Sequence, residues 1–268
     1  MAPSSAIKSS GGDSDNARAA AASGAEGARR VLSILWAFSP GKHTRTAREL
    51  AEATSIPLPT VYRYIALLRE MGLVIGDDRG AYHLSPRLMA LARAAEAAES
   101  LIEFADPVMR ELVRDCGETA MFIRLIARVP VCVHRVQTPR HLRATFEPGQ
   151  SMPLYQGASG RVLLAGLPEQ TRREYLEPLQ RTDPEAAARM AAAVDKVAAR
   201  GWATSDEEIE RGVWAASAPV TDGRAVVAAL TVPSPLVRAP AELQEWLVGQ
   251  VRAAAARLSH RIADAQRS

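Results

Sequence analysis

The sequence predicts an α+β protein: a small N-terminal winged helix-turn-helix, a connecting helix, and a larger domain built on an antiparallel sheet covered by helices. Three observations carry this. Residues 46–84 read without a break as a capped helix, a tight turn, a second helix opened by proline, and a hairpin. Beyond residue 101, short alternating apolar segments fall into two runs with helical stretches between them, the order of a sheet with helices packed on it. The positive charge is also local. Residues 29–87 carry nine Lys and Arg against five Asp and Glu, residues 1–28 two against three, and residues 88–268 22 against 22.

The whole excess behind the net charge of +3 therefore lies on one domain, where basic side chains can release counterions from a polyanion. A 268-residue chain that is 47% hydrophobic is long enough for two cores. No apolar run approaches the roughly 20 residues that span a bilayer, and the N-terminus lacks the apolar core of a signal peptide, so a cytoplasmic protein with no membrane partner is expected. Two cysteines, Cys116 and Cys132, make no disulfide framework and are expected as free thiols.

Residues 1–28 are rich in Ala, Ser and Gly and nearly free of large apolar groups, which predicts a disordered tail. Residues 29–38 form the first helix, with Val31, Ile34, Leu35 and Phe38 on one face, and Ser39-Pro40-Gly41 ends it. Thr46-x-x-Glu49 is a capping box for the second helix. Ser55-Ile56-Pro57 makes the turn. Pro59 stands at the start of the third helix, where its missing N–H costs little. That helix runs to about Met71 with Val61, Ile65 and Leu68 inward, and Gly72 stops it. Residues 73–84 are a hairpin turning at Asp77-Asp78-Arg79-Gly80. The units are then 29–84, a helix over 85–100 whose alanine stripe suits close pairing, and 101–268. In the last, strands are expected at 120–127, 131–137, about 142–146, 214–220 and 225–232, and helices at 102–116, 168–179, 184–200 and 240–262.

A recognition helix presents hydrogen-bonding side chains near its N-terminus, the end that enters the major groove. Pro59, Thr60, Tyr62 and Arg63 fit that description. Arg63 can be bidentate to guanine or grip phosphate. Lys42, Arg45 and Arg48 sit where the second helix would meet the backbone, and Arg79 at the wing tip suits phosphate or minor groove. These eight residues are the candidate interface with double-stranded DNA.

Gly157-Ala158-Ser159-Gly160-Arg161 falls short of a nucleophile elbow, because the residue two after Ser159 is Arg161 and no strand leads into it. It is either a structural turn or a helix N-terminus whose amides meet an anionic ligand. His43, His83, His134, His141 and His260 have no metal-ligand spacing, so no metal or cofactor is expected. Cys132 and His134, two apart on a strand, would face the same side. Asp206-Glu207-Glu208 reads as a solvated acidic run, with Trp202 and Trp214 beside it in a pocket or a core.

The order of these features resembles the isocitrate-lyase-regulator (IclR) family of bacterial transcription factors across about residues 29–260. The likeness is carried by residues 59–74, Gly80-Ala81-Tyr82-His83-Leu84, Pro148-Gly149, Pro153-Leu154-Tyr155, Ala158-Ser159-Gly160-Arg161, Arg200-Gly201-Trp202, Ala218-Pro219-Val220 and Val226-Val227-Ala228-Ala229-Leu230. The resemblance implies a non-enzymatic regulator that binds operator DNA as a dimer or tetramer, with residues 101–268 a GAF-like effector-binding and oligomerisation domain. The implied effector is a small metabolite, often an organic or aromatic acid. The implied pocket residues are Gly157, Ala158, Ser159, Ala215, Ala216, Ser217 and Thr231. The chain departs from the family at Tyr155, where histidine is common, at Arg161, where lysine is common, and at Ala215 and Pro233, where some relatives carry polar or thiol groups. A larger or more apolar acid then fits better than a very small oxoacid. Arg124, Arg128 and Arg135 are candidates to pair a carboxylate, or are surface charge. The alternatives are a hydrolase with Ser159 as nucleophile fused to a DNA-binding module, or a constitutive DNA-binding protein without ligand.

Overall fold

The computed structural model describes residues 11–38, 42–98, 100–142 and 146–267, and of 11–23, 96 and 97 the backbone alone. The chain forms two compact units, divided between Ala95 and Glu96.

In the first unit, helix α1 (Gly11–Trp36) begins well before residue 29. The tail expected to be disordered is therefore helical over 11–28. Residues 1–10 lie outside the described residues, as does the stop expected at Ser39-Pro40-Gly41. Alanine has the highest intrinsic helix propensity, and Glu26 pairs with Arg29 at 2.7 Å and Arg30 at 3.1 Å one turn on. Helix forming here needs no buried face, which the reading from hydrophobicity required.

Helices α2 (Ala47–Thr54) and α3 (Leu58–Glu70) follow. A three-stranded sheet of β1 (Arg45–Thr46), β3 (Ala81–Leu84) and β2 (Val74–Gly76), in that order, closes the unit. Strand β1 was not foreseen; two residues are too few to show alternation. Ile34, Leu50, Val61, Ile65, Leu68 and Val74 are buried together beneath them. The capping box forms as expected: the Glu49 amide donates to Thr46 Oγ1 at 3.3 Å, and the Thr46 amide donates to Glu49 Oε2 at 2.8 Å. Removing the hydroxyl in Thr46→Ala should cost about 1 kcal/mol, read as a lower denaturation midpoint of this unit. The Glu49 carboxyl is pulled down to about 2, first by Lys42 and then by the Thr46 amide. A lowered carboxyl stabilises the fold fully above its ordinary 4.5, and that contribution is lost as pH falls toward 2.

Helix α4 (Leu88–Ala98) leads to the second unit. There, five antiparallel strands lie in the order β5 (Val129–Val136), β4 (Ala120–Ile126), β8 (Val226–Pro235), β7 (Val213–Thr221), β6 (Ala203–Asp206). Helices α5 (Leu101–Cys116) and α9 (Ala241–Ala265) cover one face, burying Leu112, Phe122, Trp214, Leu230, Leu247 and Leu258. Helix α6 (Gly157–Ala165) covers the other, backed by α7 (Glu169–Thr182) and α8 (Pro184–Arg200). Trp214 is thus core rather than pocket.

Two strand expectations change. Of the segment 142–146, residues 143–145 lie outside the described residues, and Leu142 and Phe146 are not in a strand. Ser151 bridges Val131 instead. In β5, Phe122 pairs with His134 but Ile123 with Cys132, so Val133 is an extra, bulged residue. The bulge turns Cys132 and His134 to opposite faces. Cys132 is buried in the α6-side core as a free thiol, which burial pushes up to about 12. His134 Nε2 instead meets Asp106 Oδ1 of α5 at 2.9 Å.

Candidate functional site

The exposed side of the first unit is made by the amphipathic period of α3. With Val61, Ile65 and Leu68 buried, Pro59, Tyr62 and Arg63 are exposed and Thr60 half-exposed near the N-terminal end. Tyr62 leaves 54% of its surface open, far more than packing requires. The guanidinium of the exposed Arg63 lies over the Tyr64 ring at 5.6 Å. Arg48 is exposed on α2, and Arg45 is half-buried in β1. Lys42 is ion-paired with Glu49; an exposed pair of this kind is worth little and yields readily to a phosphate. Arg79 is exposed in the wing turn. There Asp77 Oδ1 accepts from the amides of Arg79 at 2.9 Å and Ala81 at 2.8 Å, and Gly80 supplies the left-handed step at φ +76°.

The second unit contains a cavity of about 480 Å³ between α6 and the sheet. Ala158, Ser159, Ala215 and Thr231 line it. Gly157, Ala216 and Ser217 do not. On a strand, consecutive side chains point to opposite faces, so Ala216 goes to the α5–α9 core. Ser217 shares the face of Ala215 and stands behind Thr231, their hydroxyls 2.8 Å apart. Gly157, at φ +77°, is packed against Ile209, whose Cδ1 would lie 2.5 Å from any Cβ there.

Several lining residues were missed. Met121, Phe146 and Met152 make an apolar wall. Pro233, which the sequence did single out together with Ala215, stands opposite it on the next strand. Pro233 is tolerated because β4 pairs with β8 only as far as Thr231, leaving that side of β8 open beyond it. The loop between β6 and β7 adds Ile209, Glu210 and Arg211. Arg124, Arg128 and Arg135 do not line the cavity. Arg128 bonds the Glu174 carbonyl and stacks on Tyr175 at 4.2 Å, and Arg135 pairs with Glu147 at 2.6 Å.

The acidic run is not simply solvated. Glu208 accepts from Arg161 Nη2 at 2.5 and 2.6 Å and from the Gly157 amide at 3.0 Å. One carboxylate thus caps the start of α6 and ties it to the β6–β7 loop. Helix capping by a side chain 51 residues away is invisible to local spacing. Ser159 lines the cavity with no histidine among the lining residues, so the base of a hydrolytic pair is missing from them. Among the described residues, no group of three metal-ligating side chains converges, and no helix is long and apolar enough to cross a membrane.

Family comparisons agree with this division. Residues 94–260 match the model of the bacterial transcriptional regulator IclR C-terminal domain, and residues 27–78 that of the IclR helix-turn-helix domain. The chain is 30% identical over 238 residues to the HTH-type transcriptional regulator KdgR of Escherichia coli, covering 86% of this chain and 90% of that one. A solved transcriptional regulator of Rhodococcus sp. RHA1 superposes with a TM-score of 0.69 at 29% identity, over 90% of this chain and 99% of the other. An IclR homologue of Microbacterium hydrocarbonoxydans, solved with 4-hydroxybenzoate, shares the fold at TM-score 0.68 and 23% identity, over 88% and 98%. The curated relatives KipR of Bacillus subtilis and KdgR are both named HTH-type transcriptional regulators. With both domain models matched in order on a winged helix-turn-helix and a helix-covered sheet, the chain belongs to the IclR family of bacterial transcriptional regulators.

Proposed function

We propose that this regulator, working in the cytoplasm, grips double-stranded operator DNA with α3 and the wing and that an organic acid in the α6-side cavity controls the grip. The observation that carries the reading is the pairing, in one chain, of an exposed cationic recognition face with a separate, largely apolar cavity holding a few hydroxyls. Arg63 and Tyr62 reach the groove, and Lys42, Arg45, Arg48 and Arg79 hold phosphates around it. Met121, Phe146 and Pro233 favour a ligand with an apolar body, and 4-hydroxybenzoate, named with the Microbacterium homologue, is of that kind.

A symmetric dimer or tetramer would read half-sites related by a two-fold axis. Trp36 on α1 and Met89 and Leu91 on α4 are exposed apolar side chains that an assembly of this kind could cover. The ligand must favour one geometry of that assembly, because equal affinity for both shifts nothing.

Titrating aromatic and aliphatic acids into the full chain should raise its thermal midpoint saturably for at least one acid. The same acid should change the protein's affinity for an operator selected from random duplexes. Operator affinity unchanged by every acid that binds would sink control by ligand. Absence of any saturable shift would leave a constitutive DNA-binding protein.

A further inference from the structure

Burial along the cavity lining falls from one end to the other. Ser159, Thr231 and Met121 are each 2% exposed, whereas Leu142 is 60% and Val237 84% exposed. Leu142 and Val237 therefore stand at the mouth. Side chains this open gain little from packing, so the backbones that carry them must be held in another way. They come from different segments. Leu142 is on the chain leaving β5, and Val237 is in the single 3₁₀ turn Leu236–Arg238 that follows β8. Strand β4 runs antiparallel to both β5 and β8 and lies between them. The residues just before β4 thus stand at the end where both neighbours run out.

Glu118 occupies that place, and it is buried, at 3% exposed. Arg238 Nε donates to Glu118 Oε1 and Arg238 Nη2 to Oε2, each at 2.8 Å. Arg140 Nη1 donates to Oε1 at 3.2 Å. The same Arg238 Nη2 donates to the Leu142 carbonyl at 3.0 Å. Residues 138–142 are tied to this spot again, because Thr138 Oγ1 donates to the Gly117 carbonyl at 2.7 Å and the Thr138 amide to Thr119 Oγ1 at 3.2 Å. An ion pair on the surface would fix little. A carboxylate this buried is different, since water cannot readily replace a lost partner. One carboxylate therefore holds both sides of the mouth.

We propose that Glu118 and Arg238 are positioning residues for the effector: they hold Leu142 and Val237 as an apolar collar at the mouth, and the collar grips acids whose apolar body is long enough to reach it. Neither Glu118 nor Arg238 is on the described lining, so both act through the collar. The cavity, about 480 Å³, lies within the span of roughly 300–1,000 Å³ that takes drug-sized ligands. A single-ring acid seated among Met121, Ser159 and Thr231 leaves the collar unfilled. The ligand class narrows to an acid with an extended apolar body. The proposal rests on the effector reading above and adds the collar and the pair that positions it.

Calorimetric titration of the full chain with benzoate and 4-butylbenzoate tests it. The parent should bind 4-butylbenzoate about tenfold more tightly, the range of one partly buried aliphatic contact. Arg238→Gln should remove most of that preference and leave benzoate unchanged. In this variant Glu118 keeps Arg140, so the buried charge stays paired and the chain should fold, as circular dichroism would verify. Arg238→Lys should restore part of the preference, since an ammonium keeps the charge but not the two-pronged geometry. Glu118→Gln should act in the same sense as Arg238→Gln. Leu142→Ala and Val237→Ala, both at exposed positions, should each weaken 4-butylbenzoate and not benzoate. With both of those substitutions present, Arg238→Gln should have no further effect on either acid. If Arg238→Gln keeps the parent's preference for the longer acid, whether or not both affinities fall, the positioning role is overturned. A parent that binds 4-butylbenzoate no better than benzoate overturns it too. In either case an acid that alters operator affinity keeps the effector reading. If no acid of the wider set binds, that reading falls and the collar with it.

Discussion

Arg63→Ala should reduce specific operator affinity by roughly 5- to 150-fold per half-site, the span of a lost bidentate base contact of about 1–3 kcal/mol. In a dimer both half-sites suffer, which should bring binding close to the non-specific level. The reasoning is positional. Val61, Ile65 and Leu68 fix the rotation of α3 by burying one stripe, and that rotation leaves Arg63 on the outer stripe near the helix start. Its stacking on Tyr64 limits the rotamers it must give up on binding. Lys42→Ala is the contrasting variant: a phosphate contact carries no sequence information, so binding should weaken about equally on all duplexes, with the salt slope reduced by about one. Gel-shift titrations against operator and scrambled duplexes at several salt concentrations separate the two. Sedimentation should show an unchanged assembly in both variants. Operator affinity retained by Arg63→Ala would remove Arg63 from the interface.

What the sequence disclosed and what it hid follow from the range of the forces involved. Thr46-x-x-Glu49 was readable because a capping box is closed within four residues. The α3 core face was readable because burial repeats at the helical period. The sheet's inner faces were readable in principle too: Ala215 and Ala216 cannot both line a cavity when strand side chains alternate, so the expectation for Ala216 conflicted with its own strand assignment. The bulge at Val133 was not readable, since an inserted residue leaves the alternation apolar on either side. Nor was Arg211. It lies in a charged loop, and only the β6–β7 hairpin, with β6 a four-residue strand, brings it to the cavity. Glu208 was hidden for the same reason, its partners Gly157 and Arg161 being distant in sequence. The α1 extension was missed for the opposite reason: helix propensity acted without the buried face that was being sought.

Gly160→Ala should destabilise the second unit by about 1–3 kcal/mol, the usual cost of overpacking, although alanine is the better helix former. A Cβ at Gly160 would lie 2.3 Å from the Leu154 carbonyl oxygen and 3.1 Å from its carbon. Both are backbone atoms, so no rotamer change relieves the clash; the 153–154 segment or α6 must move. Backbone dihedral strain is not involved, since Gly160 is not among the positive-φ residues, unlike Gly157. Gly249→Ala on α9 isolates the intrinsic effect. Nothing lies within 4 Å of its Cβ position, and α9 is regular there. That substitution should raise stability by about 0.5–1 kcal/mol. Denaturant unfolding of each full-length variant supplies the comparison, with the shift in midpoint at constant slope as the measure. Gly160→Ala should also blunt the response to acid, because Ala158 and Ser159 reach the cavity from the turn of α6 that the clash displaces. If Gly160→Ala is as stable as the parent while Gly249→Ala gains, the close approach of Leu154 to α6 is not a constraint on this fold, and the glycine is there for another reason.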